Sequence, residues 1–276
     1  MHFLFRRSYA GPLQAAIFDW AGTTVDFGCC APVAAFRQVF AQHEVTVTTE
    51  QARTPMGLGK KDHIRALTRM APVAQQWEAI YGHPCTEADI DTLYAAFIPL
   101  QLSCLADYAD LIPGTLETLA MCRGRGMRIG STTGYSSAMM ELLLPEARWR
   151  GYAPDACICP DAVPAGRPYP WMCLKNAIDL QVYPLAAIVK IGDTLPDIEE
   201  GLNAGMWTIG VVLSGNEIGL TATELGALAP AVRAERFAQV ADRMRRAGAH
   251  YVVKTIADVP PLLDEIDRHL RHGQQP

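Results

Sequence analysis

The sequence predicts an α/β protein: a doubly wound parallel sheet with an inserted, all-helical segment. Short apolar runs alternate with helical patterns from residue 108 onward, which is typical of repeated strand–helix units. An apolar run at residues 15–18 ends directly in Asp19, as in a buried parallel strand whose carboxyl end faces a crevice. Apolar side chains at residues 27–107 recur at helical spacing without a strand pattern.

The individual elements follow from the same periodicities and from Pro and Gly breaks. In the inserted segment, helices are expected at residues 32–42, from about residue 60, and at 72–82 and 86–107. The alternating part should then contain helix 115–125, strand 127–131, helix 136–147, strand 156–159, helix 168–179, strand 187–192, helix 195–204 and strand 207–212. A loop-rich stretch at 213–230, containing Ser214-Gly215-Asn216, precedes helix 231–247, strand 250–253 and helix 255–271.

These elements predict two domains. Residues 14–26 and 108–276 form a Rossmann-like core, and residues 27–107 form a helical cap. Residues 1–13 are expected to be a leader before the first strand, too short in apolar length for a signal peptide.

Composition excludes several classes of function. The net charge of −5 argues against a dedicated nucleic-acid surface, and no apolar run is long enough to span a membrane. The eight cysteines show neither a CxxC pair nor a zinc spacing with histidine. Free thiols in a chain with a large core indicate a reducing, cytoplasmic location.

Polar residues follow four predicted strands. They are Asp19, STTGY at 131–135, AGRPYP at 165–170 and GDTLPD at 192–197. In a doubly wound sheet they converge on one crevice. The set offers a carboxylate nucleophile, hydroxyl and amide donors, a cation and further carboxylates, which suits phosphoryl transfer assisted by Mg²⁺. The plain alternative is that Asp19 only turns the chain, since Asp is common after strands.

In this order and spacing, the four motifs resemble those of the haloacid dehalogenase (HAD) superfamily, and the inserted helices resemble its C1 cap. The resemblance implies a HAD-like fold with Asp19 as the nucleophile and Thr133 as a phosphate-binding residue. It places Arg167 where the motif usually has lysine. The Mg²⁺ ligands that it implies are Asp19, the backbone carbonyl of Ala21, Asp193 and Asp197.

Ala21 departs from the pattern of HAD phosphatases. These enzymes usually carry a second Asp at this position, which protonates the leaving oxygen and later activates water. A methyl group can do neither. Either the protein is catalytically impaired or its leaving group is activated differently.

Lys60 offers a second chemical device. It follows a glycine-rich loop, and His63 lies three residues on, on the same helical face. A lysine shielded from water can condense with a carbonyl, and an iminium β to phosphorus allows a C–P bond to break. The plain alternative is that Lys60, Lys61 and His63 form a solvated helix face.

Four strings spanning core and cap resemble the phosphonatase family, whose members are phosphonoacetaldehyde hydrolases. They are FDWAGTTVD at 18–26, PMGL at 55–58 with KKDH at 60–63, STTGY at 131–135 and AGRPYPWM at 165–172. The resemblance implies that Lys60, not Lys61, is the Schiff-base lysine and that His63 assists it. The substrate-binding residues that it implies are Cys29, Met56, Gly57 and Tyr135.

The expected function is therefore Mg²⁺-dependent hydrolysis of the C–P bond of phosphonoacetaldehyde, through a lysine Schiff base and an aspartyl-phosphate, in degradation of 2-aminoethylphosphonate. The resemblance also implies a cytoplasmic homodimer acting on a small-molecule phosphonate. Two alternatives stay open. One is another C1-capped phosphatase or phosphomutase, which Ala21 argues against. The other is a catalytically silent binding protein, which the intact Asp19, Thr133, Arg167 and Asp193 argue against.

Overall fold

A computed structural model describes residues 9–276 and contains one six-stranded sheet. Every neighbouring pair of strands is parallel, in the order β3-β2-β1-β4-β5-β6. The strands are β1 (Ala15–Phe18), β2 (Arg128–Thr132), β3 (Ala156–Ile158), β4 (Ile188–Gly192), β5 (Trp207–Val211) and β6 (Tyr251–Val253). The predicted doubly wound α/β fold is confirmed.

Six helices, α1 to α6, lie between β1 and β2, the first five of them in the inserted segment, and six more follow β2. The first five are α1 (Cys30–Ala41), α2 (Thr49–Arg53), α3 (Lys60–Thr68), α4 (Ala71–Tyr81) and α5 (Glu87–Leu105). The others are α6 (Thr115–Gly124), α7 (Ser137–Trp149), α8 (Trp171–Asp179), α9 (Leu195–Asn203), α10 (Ala222–Ala227), α11 (Pro230–Arg246) and α12 (Pro260–Arg271). Between β1 and β2 the residues thus form helices, as predicted, while the division into core and cap domains stays a prediction.

The sheet register brings the predicted motifs to one edge. Phe18 at the end of β1 pairs with Ser131 of β2 and with Ile191 of β4. All four residues of β1 are buried, as expected for a central strand covered by helices on both faces. The residues that follow Phe18, Ser131 and Ile191 therefore lie side by side at the carboxyl end of the sheet.

The inserted helices share a hydrophobic cluster with the sheet. Phe36 of α1 stacks on Phe97 of α5 with ring centroids 4.5 Å apart. Both rings belong to the apolar cluster that also contains Phe18 and Ile191 of the sheet. This packing holds the helical segment over the carboxyl end of β1.

Two predicted elements differ from the structure for local reasons. The stretch at 213–230 contains the short helix α10, which begins with a capping box between Thr221 and Glu224. The last helix begins at Pro260 rather than residue 255, because Pro is favoured in a first turn. Residues 1–8 of the predicted leader lie outside the described residues.

Within residues 9–276, no helix is both long enough and apolar enough to cross a membrane.

Candidate active site

A cavity lies at the carboxyl end of β1, between the sheet and the inserted helices. Its empty space of about 290 Å³ includes the opening to solvent. Nine of the predicted site residues line it: Asp19, Ala21, Cys29, Met56, Gly57, Lys60, Thr133, Tyr135 and Arg167. Gly134 and Thr194 complete the lining. The structure thus gathers residues from the core motifs and from the inserted segment into one site.

Arg167 is held against the predicted nucleophile by a buried network. Its Nη2 donates to Asp19 Oδ1 at 2.7 Å and to Thr132 Oγ1 at 2.7 Å, while its Nε donates to Glu200 Oε2 at 2.9 Å. Glu200 Oε2 also accepts from Thr132 Oγ1 at 3.0 Å. The guanidinium is therefore fixed beside Asp19, where it can neutralise the charge of a bound anion.

Asp19, Asp193 and Asp197 form an acidic cluster in which one oxygen from each lies within 4.8 Å of the others. Burial and the carboxylates of Asp19 and Asp197 raise the pKa of Asp193 well above its ordinary value. Burial and Asp197 likewise raise the pKa of Asp19. Repulsion of this kind is relieved by a cation.

The charge balance of this region fits a divalent ion. Its buried carboxylates are Asp19, Asp26, Asp193, Asp197 and Glu200, and its buried cations are Lys60, Arg167 and Lys190. Two negative charges therefore lack a partner, and carboxylate oxygens are the donors that Mg²⁺ prefers. A metal here would be held by Asp19 and Asp193, with the Ala21 carbonyl beside them.

Asp197 has most of its hydrogen-bonding capacity already engaged. Its Oδ1 accepts from Lys190 Nζ at 2.6 Å, and its Oδ2 accepts from Thr194 Oγ1 at 2.6 Å. Burial works against the charged form, but Arg167 and Lys190 outweigh it and lower the pKa of Asp197. Asp197 is thus an ionised anchor within the cluster, and its predicted role as a metal ligand stays a prediction.

Lys60 is the first residue of α3 and is only 6% exposed. Its Nζ lies 4.5 Å from the centroid of the Tyr135 ring and 5.8 Å from that of Phe36. Burial lowers the pKa of Lys60 from 10.5 to about 8, although Cys29 and Asp19 act in the opposite direction. At neutral pH about a tenth of the molecules therefore carry a neutral amine, the nucleophilic form.

Lys61 differs from its neighbour because an α-helix turns by about 100° per residue. Its side chain is 41% exposed and forms an ion pair with Asp91. It does not line the cavity that contains Asp19. This geometry separates the two adjacent lysines, which the residue pattern alone leaves equivalent.

His63 is buried behind Lys60 rather than in the cavity lining. Its ring stacks on Phe36 with centroids 3.8 Å apart, and its Nε2 lies 2.9 Å from the Ala52 carbonyl oxygen. A carbonyl only accepts, so Nε2 carries the proton. Burial and nearby Lys60 lower the pKa of His63 well below its ordinary value. The neutral ring thus leaves Nδ1 without a hydrogen-bond partner among residues 9–276.

Cys29 bridges two of the predicted metal-binding groups. Its Sγ donates to the Ala21 carbonyl oxygen at 3.0 Å and lies 3.4 Å from Asp193 Oδ2. Burial and the surrounding carboxylates raise the pKa of the Cys29 thiol well above its ordinary value. The residue is therefore a protonated thiol that can hold these oxygens in place.

Sequence reasoning missed the residues that hold the site together. Lys190 and Glu200 fix Asp197 and Arg167, while Thr132 joins Arg167 to Glu200. One signal was available for Lys190, a lysine inside an otherwise apolar buried strand. Glu200 lies three residues after Asp197 on α9 and hence on the same helical face.

The fold and the site agree with the relationships of the chain to known proteins. A family model for haloacid dehalogenase-like hydrolases matches residues 13–205. The chain belongs to this family of hydrolases.

Within it, the similarity is to phosphonoacetaldehyde hydrolases. The chain is 50% identical to one from Syntrophobacter fumaroxidans over 99% of both chains. It is 47% identical to one from Bacillus cytotoxicus over 93% of this chain and 97% of the relative. The crystal structure of a phosphonoacetaldehyde hydrolase-like protein from Oleispira antarctica matches over 100% of both chains, with a TM-score of 0.98 and 40% identity. The chain therefore belongs to the phosphonoacetaldehyde hydrolase family.

Proposed function

We propose that this hydrolase cleaves the C–P bond of phosphonoacetaldehyde, giving acetaldehyde and phosphate. One observation carries the proposal. A single cavity contains a buried lysine with a pKa of about 8 and an aspartate nucleophile with no acid two residues after it. Such a pair suits a leaving group that departs as carbon and needs an electron sink rather than a proton donor.

In the first step, the neutral amine of Lys60 attacks the aldehyde carbon, and the resulting carbinolamine takes up a proton from solvent and loses water to form an iminium. Burial of Lys60 favours the neutral amine before this step, although the ring faces of Tyr135 and Phe36 attract the charged form. The iminium is two bonds from phosphorus, so the electron pair of the C–P bond can move into it.

In the second step, a carboxylate oxygen of Asp19 attacks phosphorus. Arg167 lies on this carboxylate and balances the negative charge of the phosphonate oxygens. The C–P bond breaks, the electron pair passes to the lysine nitrogen as an enamine, and Asp19 becomes an aspartyl-phosphate. Protonation and hydrolysis of the enamine release acetaldehyde, and water cleaves the aspartyl-phosphate to release phosphate.

A Mg²⁺ ion, when bound, would supply positive charge that stabilises the negative charge of the phosphonate. Asp19, the Ala21 carbonyl and Asp193 would hold it, and Asp197 would keep their surroundings fixed through Lys190 and Thr194. Thr133 lines the same wall of the cavity and can donate to a phosphonate oxygen.

The wider setting belongs to the same proposal. We expect a homodimer, which size-exclusion chromatography with light scattering tests. We also expect a cytoplasmic enzyme of phosphonate degradation, and the free state of all eight cysteines supports a reducing compartment.

Reductive trapping tests the reaction. The protein is incubated with Mg²⁺ and phosphonoacetaldehyde, borohydride is added, and the modified residue is located by intact mass and peptide mapping. We expect a reduced two-carbon adduct on Lys60 together with released phosphate. Lys60→Met should abolish both, whereas Lys61→Met should retain both. Turnover of phosphate esters without an adduct would refute the proposal and favour an ordinary capped phosphatase.

A further inference from the structure

Asn216 connects the acidic cluster to the inserted helices. It lies in the loop after β5 and is 4% exposed. Its backbone N–H donates to Asp193 Oδ2 at 2.8 Å. Its side-chain Nδ2 donates to the Arg53 carbonyl oxygen at 3.0 Å, and its Oδ1 accepts from Arg53 Nη1 at 3.2 Å. One buried residue therefore bonds to the metal-binding carboxylate and, twice, to the end of α2.

Arg53 is well fixed on the other side of this link. Its Nη1 also donates to the Gly28 carbonyl oxygen at 2.7 Å. Its guanidinium packs on Gly219 so closely that a Cβ there would lie 2.7 Å from Nε. Arg53 thus bonds both to the turn that precedes Cys29 and to the loop that follows β5.

Arg53 is close in the chain to Lys60, so the contacts of Arg53 with Asn216 affect the segment that leads to Lys60. Arg53 ends α2 and Lys60 begins α3, so only residues 54–59 separate them. Met56 and Gly57 of this short connection line the cavity. The placement of Lys60 over Asp19 therefore depends on where Arg53 is held.

We propose that Asn216 is a positioning residue that couples the Lys60 segment to the metal-binding carboxylate Asp193. It does not line the cavity. Ordering Asp193 orders the Asn216 loop, which in turn holds Arg53 and residues 54–59. Because coupling free energies are reciprocal, a well-held Lys60 segment also favours a well-held Asp193. The inference rests on the roles proposed above for Lys60 and Asp193.

Hydrogen–deuterium exchange of amides in residues 49–68 tests this coupling, with and without Mg²⁺. We expect Mg²⁺ to slow exchange there in the wild-type protein. Asn216→Ala keeps the backbone N–H on Asp193 but removes both bonds to Arg53. It should speed exchange more than tenfold, because one charge-assisted and one neutral hydrogen bond are lost, and should abolish the Mg²⁺ effect. Arg53→Met removes the bond to Asn216 Oδ1 and the bond to Gly28 but keeps the Arg53 carbonyl oxygen on Asn216 Nδ2. It should also speed exchange and weaken the Mg²⁺ effect. Because both variants remove the Arg53 Nη1–Asn216 Oδ1 bond, the effect of the double variant should be smaller than the sum of the two single effects.

Glu217→Gln is the matched control. Glu217 is the next residue in the loop, but it pairs with Arg243 of α11 at 2.8 Å instead of Arg53. Its exchange and its Mg²⁺ response should match the wild-type protein. The proposal is overturned if Mg²⁺ leaves wild-type exchange unchanged, if Asn216→Ala keeps the wild-type response, or if the two variants add.

These outcomes are separate from those of the trapping experiment, because amide exchange requires no turnover. A wild-type protein that shows the exchange pattern but forms no lysine adduct would refute the proposed reaction and leave the coupling intact. If Asn216→Ala fails to fold, as judged by circular dichroism, amide exchange of Arg53→Met with and without Mg²⁺ tests the coupling by itself.

Discussion

Replacing Lys60 with Met should stabilise the protein while abolishing its activity. The pKa of Lys60 falls from 10.5 to about 8 on folding, because burial disfavours the charged amine. A difference of 2.5 between these pKa values corresponds to about 3 kcal/mol of unfolding free energy. Methionine has a similar length and no charge to bury, so Lys60→Met should escape this cost.

The extra stability of Lys60→Met should depend on pH, because the pKa of Lys60 is lower in the folded protein than in the unfolded chain. The folded pKa lies below the unfolded one, so between pH 8 and 10.5 the unfolded chain binds more protons. Below pH 8 the unfolding free energy of the wild-type protein is therefore reduced by the full cost of burying charged Lys60. This reduction becomes smaller as the pH rises from 8 to 10.5. We expect Lys60→Met to be more stable by about 3 kcal/mol at pH 7, and this advantage should disappear near pH 10.5.

Urea denaturation of both proteins between pH 6.5 and 10.5 measures this difference, in which titrating groups that do not interact with Lys60 cancel. Lys61→Met is the matched control on the same helix. Its side chain is 41% exposed and its ion pair lies at the surface, so its effect should stay within about 1 kcal/mol and vary little with pH. A Lys60→Met difference that is independent of pH, or a variant less stable than wild type at pH 7, would refute the reasoning.

Three further predictions concern the geometry around the nucleophile. Glu200→Gln should lower kcat about tenfold or more with little change in KM for substrate, since it weakens a charge-assisted bond to Arg167; an unchanged kcat would contradict this. Gly57→Ala should raise KM and destabilise the protein, because its φ is +95° and a Cβ would clash with Thr194 Oγ1. Gly82→Ala has a similar φ of +75° but open space around it, so its thermal melting separates the clash from backbone strain. Chelation of metal should stop phosphate release while leaving borohydride trapping of the lysine intact, and loss of both would contradict the separation of the two steps.

The sheet and its polar edge were predictable because they rest on local pattern. Apolar runs locate β1 and β4, and in a parallel sheet the residues after them must meet at one edge. Asp19 and Asp193 follow directly from that rule. The short helix α10 escaped because six residues are too few for a periodicity, and its capping box was the only local signal.

The contacts that tune the site could not be predicted in the same way. The bond from Arg167 to Glu200 joins residues 33 positions apart, and the bond from Arg53 to Asn216 joins residues 163 apart. Such contacts depend on strand order and on how the helical segment docks. The choice between Lys60 and Lys61 required the resemblance to a family, and the rotation of α3 supplies its physical basis.

The methyl group of Ala21 bears on substrate selectivity, because it cannot donate a proton to a leaving group. On the proposed function, a phosphate monoester that enters the crevice meets the carboxylate of Asp19 but finds no proton for its departing oxygen. Cleavage is then disfavoured although nothing repels the molecule. Metabolites that share the phosphoryl group with the substrate are thus spared, and the enzyme is confined to compounds that can form an imine with its lysine.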